Sequence, residues 1–220
     1  RIPDLLFVLF ASVLSVYILL PFVNRYTEQM TPQAGAAVLS QMFTLFLWTY
    51  ITAVGILFVA APALVPYIFP GFIENQSELV TLLRILLLQP FLLGLSSLCG
   101  VVTQMNHRFI LYALSPLLYN IGIIVGIVLL FPLFGLSGLA WGVVLGSLGH
   151  LLVQVPFLRE SDYSFCPVSK VDWKLMRKIF AVSLPRALTL SVNQIVLLIF
   201  VGLVSIIHHI LFFNCIIHFF

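Results

Sequence analysis

IGIIVGIVLLF (residues 121–131) is an unbroken run of apolar residues and glycines. A membrane-spanning strand would alternate apolar and polar residues over about ten positions, and this stretch does not alternate. In lipid every backbone N–H and C=O must find its partner within the protein, so a run of this kind is helical. It belongs to a longer apolar block over 109–131, and comparable blocks fall at 4–23, 38–66, 79–103, 136–158 and 183–206. Each has about 20 residues or more, the length that crosses a ~30 Å hydrocarbon core. Composition points the same way: 62% of residues are hydrophobic, mean hydropathy is +1.18 and only 8% are charged, against roughly 25% in soluble domains. The reading is an all-α integral membrane protein, a polytopic bundle of six transmembrane helices.

The segments between blocks fix its orientation. Segments 24–37, 104–108 and 159–182 carry Arg25, Arg108, Arg159, Lys170, Lys174, Arg177 and Lys178, whereas 67–78 and 132–135 carry no basic residue and hold Glu74 and Glu78. The two sets alternate as six spans require, so the positive-inside rule places the basic segments in the cytoplasm and Arg1 on the outer face. The net charge of +3 is then a topology signal and does not indicate a nucleic-acid partner. Arg1 in place of a start methionine, with no signal peptide before the first block, leads us to expect a piece of a longer chain.

Nothing in the residues suggests a metal, a cofactor or a catalytic centre. Cys99, Cys166 and Cys215 are isolated, giving neither a disulfide framework nor metal spacing. His208 and His209 are adjacent, so they point to different sides of a helix, in an apolar tail (207–220) set apart from the spans. GLSG (135–138) resembles the serine motif of rhomboid intramembrane proteases, where a histidine on another helix activates the serine. His150 instead lies three to four turns beyond Ser137 on the same helix, which argues against an enzyme.

Three patterns bear on packing and binding. Segment 169–182 places Val171, Leu175, Met176, Ile179 and Val182 opposite Lys174, Arg177 and Lys178, an amphipathic helix expected to lie flat on the cytoplasmic leaflet with Trp173 at headgroup depth. Gly138, Gly142, Gly146 and His150 recur every fourth residue, as do Gly122 and Gly126. Such rows of small residues let helix backbones approach closely, and His150 is expected to hydrogen-bond across the interface. Polar stripes mark three spans: Arg1, Asp4, Ser12 and Ser15 on the first, Gln89, Ser96, Gly100 and Thr103 on the third, and Ser183, Arg186, Thr189, Asn193 and Gln194 on the last. They fit either a hydrated cavity or hydrogen bonding between helices in a solid bundle.

Several stretches resemble the MurJ/MviN family of lipid II flippases. They are RIPDLL (1–6), FPGF (69–72), QMNHRF (104–109), LSPLLYNIGII (114–124), GLSGLAWGVVLGSLGHLLVQVPFL (135–158) and DWKLMRKIFAVSLPRALTLSVNQI (172–195), in the family's order. The resemblance implies membership of the multidrug, oligosaccharidyl-lipid and polysaccharide exporter superfamily, with two helical lobes around a central cavity and fourteen spans. The six spans here would match the second to the seventh. Residues 1–158 would supply five helices of the N-terminal lobe, 159–182 a cytoplasmic linker, and 183–206 the first helix of the second lobe. The implied activity is alternating-access transfer of a lipid-linked peptidoglycan precursor from the inner to the outer leaflet of the bacterial cytoplasmic membrane. Its implied partners are that lipid, the bilayer and the remainder of the chain.

Family basic residues that follow the first proline, and a later glutamate, correspond here to Phe7, Val8 and Ser12, which leaves Arg1 as the cation at that end. Asn193 and Gln194 match the family's NQ pair, Arg186 the basic residue after the proline, and Pro185 the turn into the span. The cavity residues expected on this basis are Arg1, Ser12, Ser15, Arg186, Asn193 and Gln194. The altered basic pair leaves two alternatives, another exporter of lipid-linked saccharide or a degenerate protein that transports nothing.

Overall fold

A computed structural model describes residues 2–69, 76–160 and 165–219. Arg1 and Glu74 lie outside them. The described residues contain no strand, and all regular structure is helical. Its elements are α1 (Ile2–Val13), α2 (Val16–Gln29), α3 (Pro32–Ile68), α4 (Gln76–Leu86), α5 (Leu88–Met105), α6 (Phe109–Val125), a π-helical turn (Gly126–Leu130), α7 (Phe131–Phe134), α8 (Leu136–Leu152), α9 (Val155–Glu160) and α10 (Trp173–Phe219).

Four stretches are long and apolar enough to cross a bilayer: Pro32–Ile68, Gln76–Met105, Phe109–Phe134 and Trp173–Val204. The other two expected spans take different forms. The first is broken: Ser15 has an extended backbone (φ −57, ψ 130), and the Ser12 hydroxyl bonds back to the Leu9 carbonyl at 2.9 Å, a side-chain bond that competes with the helical ladder. The fifth ends after 17 residues at Leu152, about 25 Å of helix. Pro156 then forbids the next helical hydrogen bond, so the chain turns before α9.

Prolines also explain the other irregularities. Pro132 has no N–H, and its ring would clash with the carbonyl one turn back. The π turn just before it opens the ladder, Phe131 N–H reaching the Gly126 carbonyl. Gly135 (φ 60, ψ −142) makes the reversal into α8 in a conformation that disfavours any side chain. At the start of α3, Pro32 follows the cap residue Thr31, whose Oγ1 accepts from Ala34 N–H at 3.2 Å.

Two expectations about the last helix change. Segment 169–182 does not lie flat on the leaflet, because Leu175, Met176 and Ile179 are buried in the main core with Leu14, Leu19, Val23, Leu39 and Met42. Asp172 begins the helix, its Oδ1 accepting from the N–H groups of Lys174 (2.9 Å) and Leu175 (3.2 Å). The preceding strand of loop is tied to α3 by Val168 N–H to Thr44 Oγ1 (2.9 Å) and Asp172 N–H to Gln41 Oε1 (2.7 Å). Pro185 makes no turn either: it stands inside one continuous helix, an arrangement tolerated when packing holds the flanking turns.

The main core therefore gathers α1, α2, α3, α5 and the first turns of α10. An aromatic group, Phe10, Phe46, Tyr50 and Phe91, fills its centre with ring centroids 5.4–6.0 Å apart, and the Tyr50 hydroxyl donates to the Leu87 carbonyl at the α4–α5 break. A smaller cluster of Ile2, Ala61, Val65 and Leu83 closes the opposite end of α1 and α3. Side chains such as Ile110, Val59 and Leu133 point outward, fully consistent with a surrounding lipid solvent.

Candidate functional site

The α6–α8 pair meets through its glycines. A Cβ on Gly122 would stand 2.2 Å from the Gly146 Cα, and one on Gly142 would stand 2.4 Å from the Gly126 Cα. Gly138 and Gly146 face the carbonyls of Leu130 and Tyr119, each 2.3 Å from where a Cβ would be. With the backbones this close, dispersion and polar bonds hold the pair in a medium that offers no hydrophobic drive.

One turn further along the same row stands a buried polar node. The Ser96 hydroxyl of α5 shares a 2.7 Å hydrogen bond with His150 Nδ1 and lies 3.1 Å from the His150 carbonyl. Gln154, fully buried, donates from Nε2 to Ser96 Oγ (2.7 Å) and Ser115 Oγ (3.0 Å), while its Oε1 meets no protein donor. Gln154 continues the spacing of Gly138, Gly142, Gly146 and His150 by one more step, the signal in the sequence that could have found it. Three helices are thus joined at one point, and His150 is committed to Ser96 rather than to Ser137.

The third-span stripe pairs within the bundle too. Gln89 Nε2 donates to the Tyr119 hydroxyl at 3.2 Å, the Thr103 hydroxyl to its own helix at Cys99 (2.9 Å), and Gly100 receives the Tyr112 ring and Val16.

The polar arc of α10 divides between two faces. Ser183, Ala187 and Ser191 are buried against the bundle, with Gln194 half-buried on the same side and its Oε1 meeting no protein donor. Arg186, Thr189 and Asn193 are exposed on the other side. Arg186 is anchored: its guanidinium carbon sits 5.3 Å from the centroid of the Tyr17 ring, a cation–π contact. Ser12 and Ser15 are buried, and Arg1 lies outside the described residues. The structure therefore places Arg186, beside Tyr17, on the same exposed face of α10 as Asn193, while Ser12 and Ser15 are buried and Gln194 turns toward the bundle. Tyr17 escapes sequence reading because an aromatic in an apolar block carries no period of its own.

Arg84 is a charged residue within a span whose partner is structural. Pro62 supplies no N–H to the Phe58 carbonyl, and Arg84 Nε (3.3 Å) and Nη2 (3.2 Å) take its place, with the guanidinium 4.4 Å over the Phe58 ring. Arg84→Leu is expected to cost about 1–3 kcal/mol by leaving that carbonyl unmet. In a Pro62→Ala background, where the backbone donor is restored, the loss should shrink. Unfolding midpoints of the four proteins in detergent measure the difference.

These features define a multi-pass α-helical membrane protein with an arginine held on an exposed helical face and the other polar stripes largely locked between helices. The chain belongs to the MurJ family, whose model, lipid II flippase MurJ, matches residues 1–210. The probable lipid II flippase MurJ of Buchnera aphidicola subsp. Acyrthosiphon pisum is 34% identical over 135 residues, 59% of this chain and 26% of the relative. The lipid II flippase MurJ of Burkholderia cenocepacia is 24% identical over 215 residues, 93% of this chain and 42% of the relative. That of Buchnera aphidicola subsp. Baizongia pistaciae, named as probable, is 26% identical over 210 residues, 90% and 40%. The chain spans less than half the length of these curated relatives.

Proposed function

We propose that the protein moves lipid II, a lipid-linked peptidoglycan precursor, from the inner to the outer leaflet of the bacterial cytoplasmic membrane by alternating access. The observation that carries this reading is the family match over residues 1–210. The physical chemistry suits it: a diphosphate headgroup cannot cross hydrocarbon unaided, and a guanidinium is the side chain that best matches its oxygens. Arg186 is such a group, exposed on α10 and oriented by Tyr17. Such transfer requires no covalent chemistry. In this reading residues 1–158 serve as five helices of one lobe and 159–182 as the cytoplasmic linker. Residues 183–206 open the second lobe, with Asn193 and Gln194 near the passage between lobes.

The test uses the full-length protein in cells depleted of their own lipid II flippase. Growth should be restored by the wild type. Arg186→Ala should lower transport roughly ten-fold or more, the effect of losing one charge-assisted hydrogen bond, with Asn193→Ala/Gln194→Ala also impaired. Normal growth with either variant removes those residues from the passage, and failure of a well-expressed wild type removes lipid II as the cargo.

A further inference from the structure

At the end of the bundle that carries the basic segments, α2 and α10 enclose a recess of about 190 Å³, lined by none of Arg186, Asn193 and Gln194. Arg25 from α2 and Lys178 from α10 line it together with Tyr26 and Gln29, Phe22 and Leu175 supplying its apolar floor, and Arg25 Nε donates to Gln29 Oε1 at 3.1 Å, which leaves its other guanidinium N–H groups for a ligand. Among the described residues no carboxylate lines it; Glu28, the neighbour in sequence, is exposed and is not part of the lining. Two cations facing one small space repel unless an anion joins them. Lys178 also borders a second recess with Lys174, Arg177 and Trp173, and Trp173 is exposed, a residue type enriched where helices meet headgroups.

We propose that this recess binds the phosphodiester headgroup of an anionic phospholipid of the cytoplasmic leaflet. The phosphate lies between Arg25 and Lys178, the glycerol portion rests on the Phe22–Leu175 floor, and the Gln29 amide and Tyr26 hydroxyl reach headgroup oxygens. Such a lipid would bridge α2 and α10 at the point where α10 enters the membrane, tying the start of that helix to the bundle. A basic cleft between helices on the cytoplasmic side has the chemistry this requires.

The test places the full-length protein in nanodiscs of phosphatidylcholine containing a minor fraction of acyl-chain spin-labelled phosphatidylglycerol. Paramagnetic resonance then reads the motionally restricted fraction, with labelled phosphatidylcholine as reference. The wild type should select phosphatidylglycerol, and Arg25→Gln and Lys178→Gln should each lower that selectivity about five-fold. Arg25→Lys should retain it, as should Lys170→Gln, which removes a cytoplasmic charge outside the recess. Circular dichroism checks that each variant keeps its helices, and both targeted side chains are exposed and absent from the core. Unchanged selectivity in Arg25→Gln and Lys178→Gln overturns the proposal. An equal loss in Lys170→Gln does so too, by showing diffuse attraction. Displacement of the labelled lipid by inorganic phosphate in the buffer would overturn the lipid assignment in favour of a free-anion site.

Discussion

Gly142→Ala is expected to cost about 3 kcal/mol or more and to prevent normal assembly of the α6–α8 pair. The added methyl would stand 2.4 Å from the Gly126 Cα, 3.0 Å from its nitrogen and 3.1 Å from the Gly122 carbonyl oxygen. All three are backbone atoms, so no side chain can rotate away, and the helices must part by about 1 Å to reach normal contact. That parting loosens the reciprocal contacts of Gly122 and Gly146 and pulls His150 and Gln154 from their partners on α5 and α6. Gly55→Ala provides the comparison: nothing lies within 4 Å of its added Cβ, and helix propensity favours alanine by roughly 0.5–1 kcal/mol. Thermal unfolding in detergent should show a large loss for the first variant and none for the second. Equal midpoints would mean that the glycine seam does not hold the pair.

The second large effect is expected at Gln154. Gln154→Ala should cost about 2–4 kcal/mol, combining a cavity in a fully closed site with the loss of two hydrogen bonds. The two contributions separate in Gln154→Leu, which restores most of the volume and none of the bonds. Because Gln154 Oε1 already meets no protein donor, leucine should recover more than half of the alanine loss. Ser96→Ala should cost about 1 kcal/mol, in line with the modest strength of single hydrogen bonds between helices in membranes. If leucine is as damaging as alanine, the node contributes through its bonds rather than through filled space.

The class of fold could be read from the sequence because apolar blocks and their charged ends are set by the bilayer and need no tertiary information. The breaks within blocks could not. Serine or proline accompanies the breaks at Ser15, before Pro132 and after α8, yet Pro62, Pro116 and Pro185 stand inside continuous helices, and at Pro62 it is Arg84 from another helix that supplies the missing donor. Helical periodicity located the polar stripes and left open what they face. Gln89 and Ser96 turn out to bond between helices, and the α10 arc separates because the bundle covers only the Ser183–Ser191 side. The amphipathic pattern of 169–182 was equally ambiguous: an apolar stripe beside a basic one suits a leaflet surface or a protein core, and the cap at Asp172 with the buried Met176 and Ile179 selects the core.

The most direct measurement is the rate at which the full-length protein, reconstituted in liposomes, brings lipid II to the outer leaflet. Transport above protein-free liposomes is expected for the wild type and for Gly55→Ala, with Arg186→Ala reduced roughly ten-fold. A folded wild type that transfers no lipid II, or an Arg186→Ala variant as fast as the wild type, would contradict the transport role proposed for this chain and its arginine-bearing face.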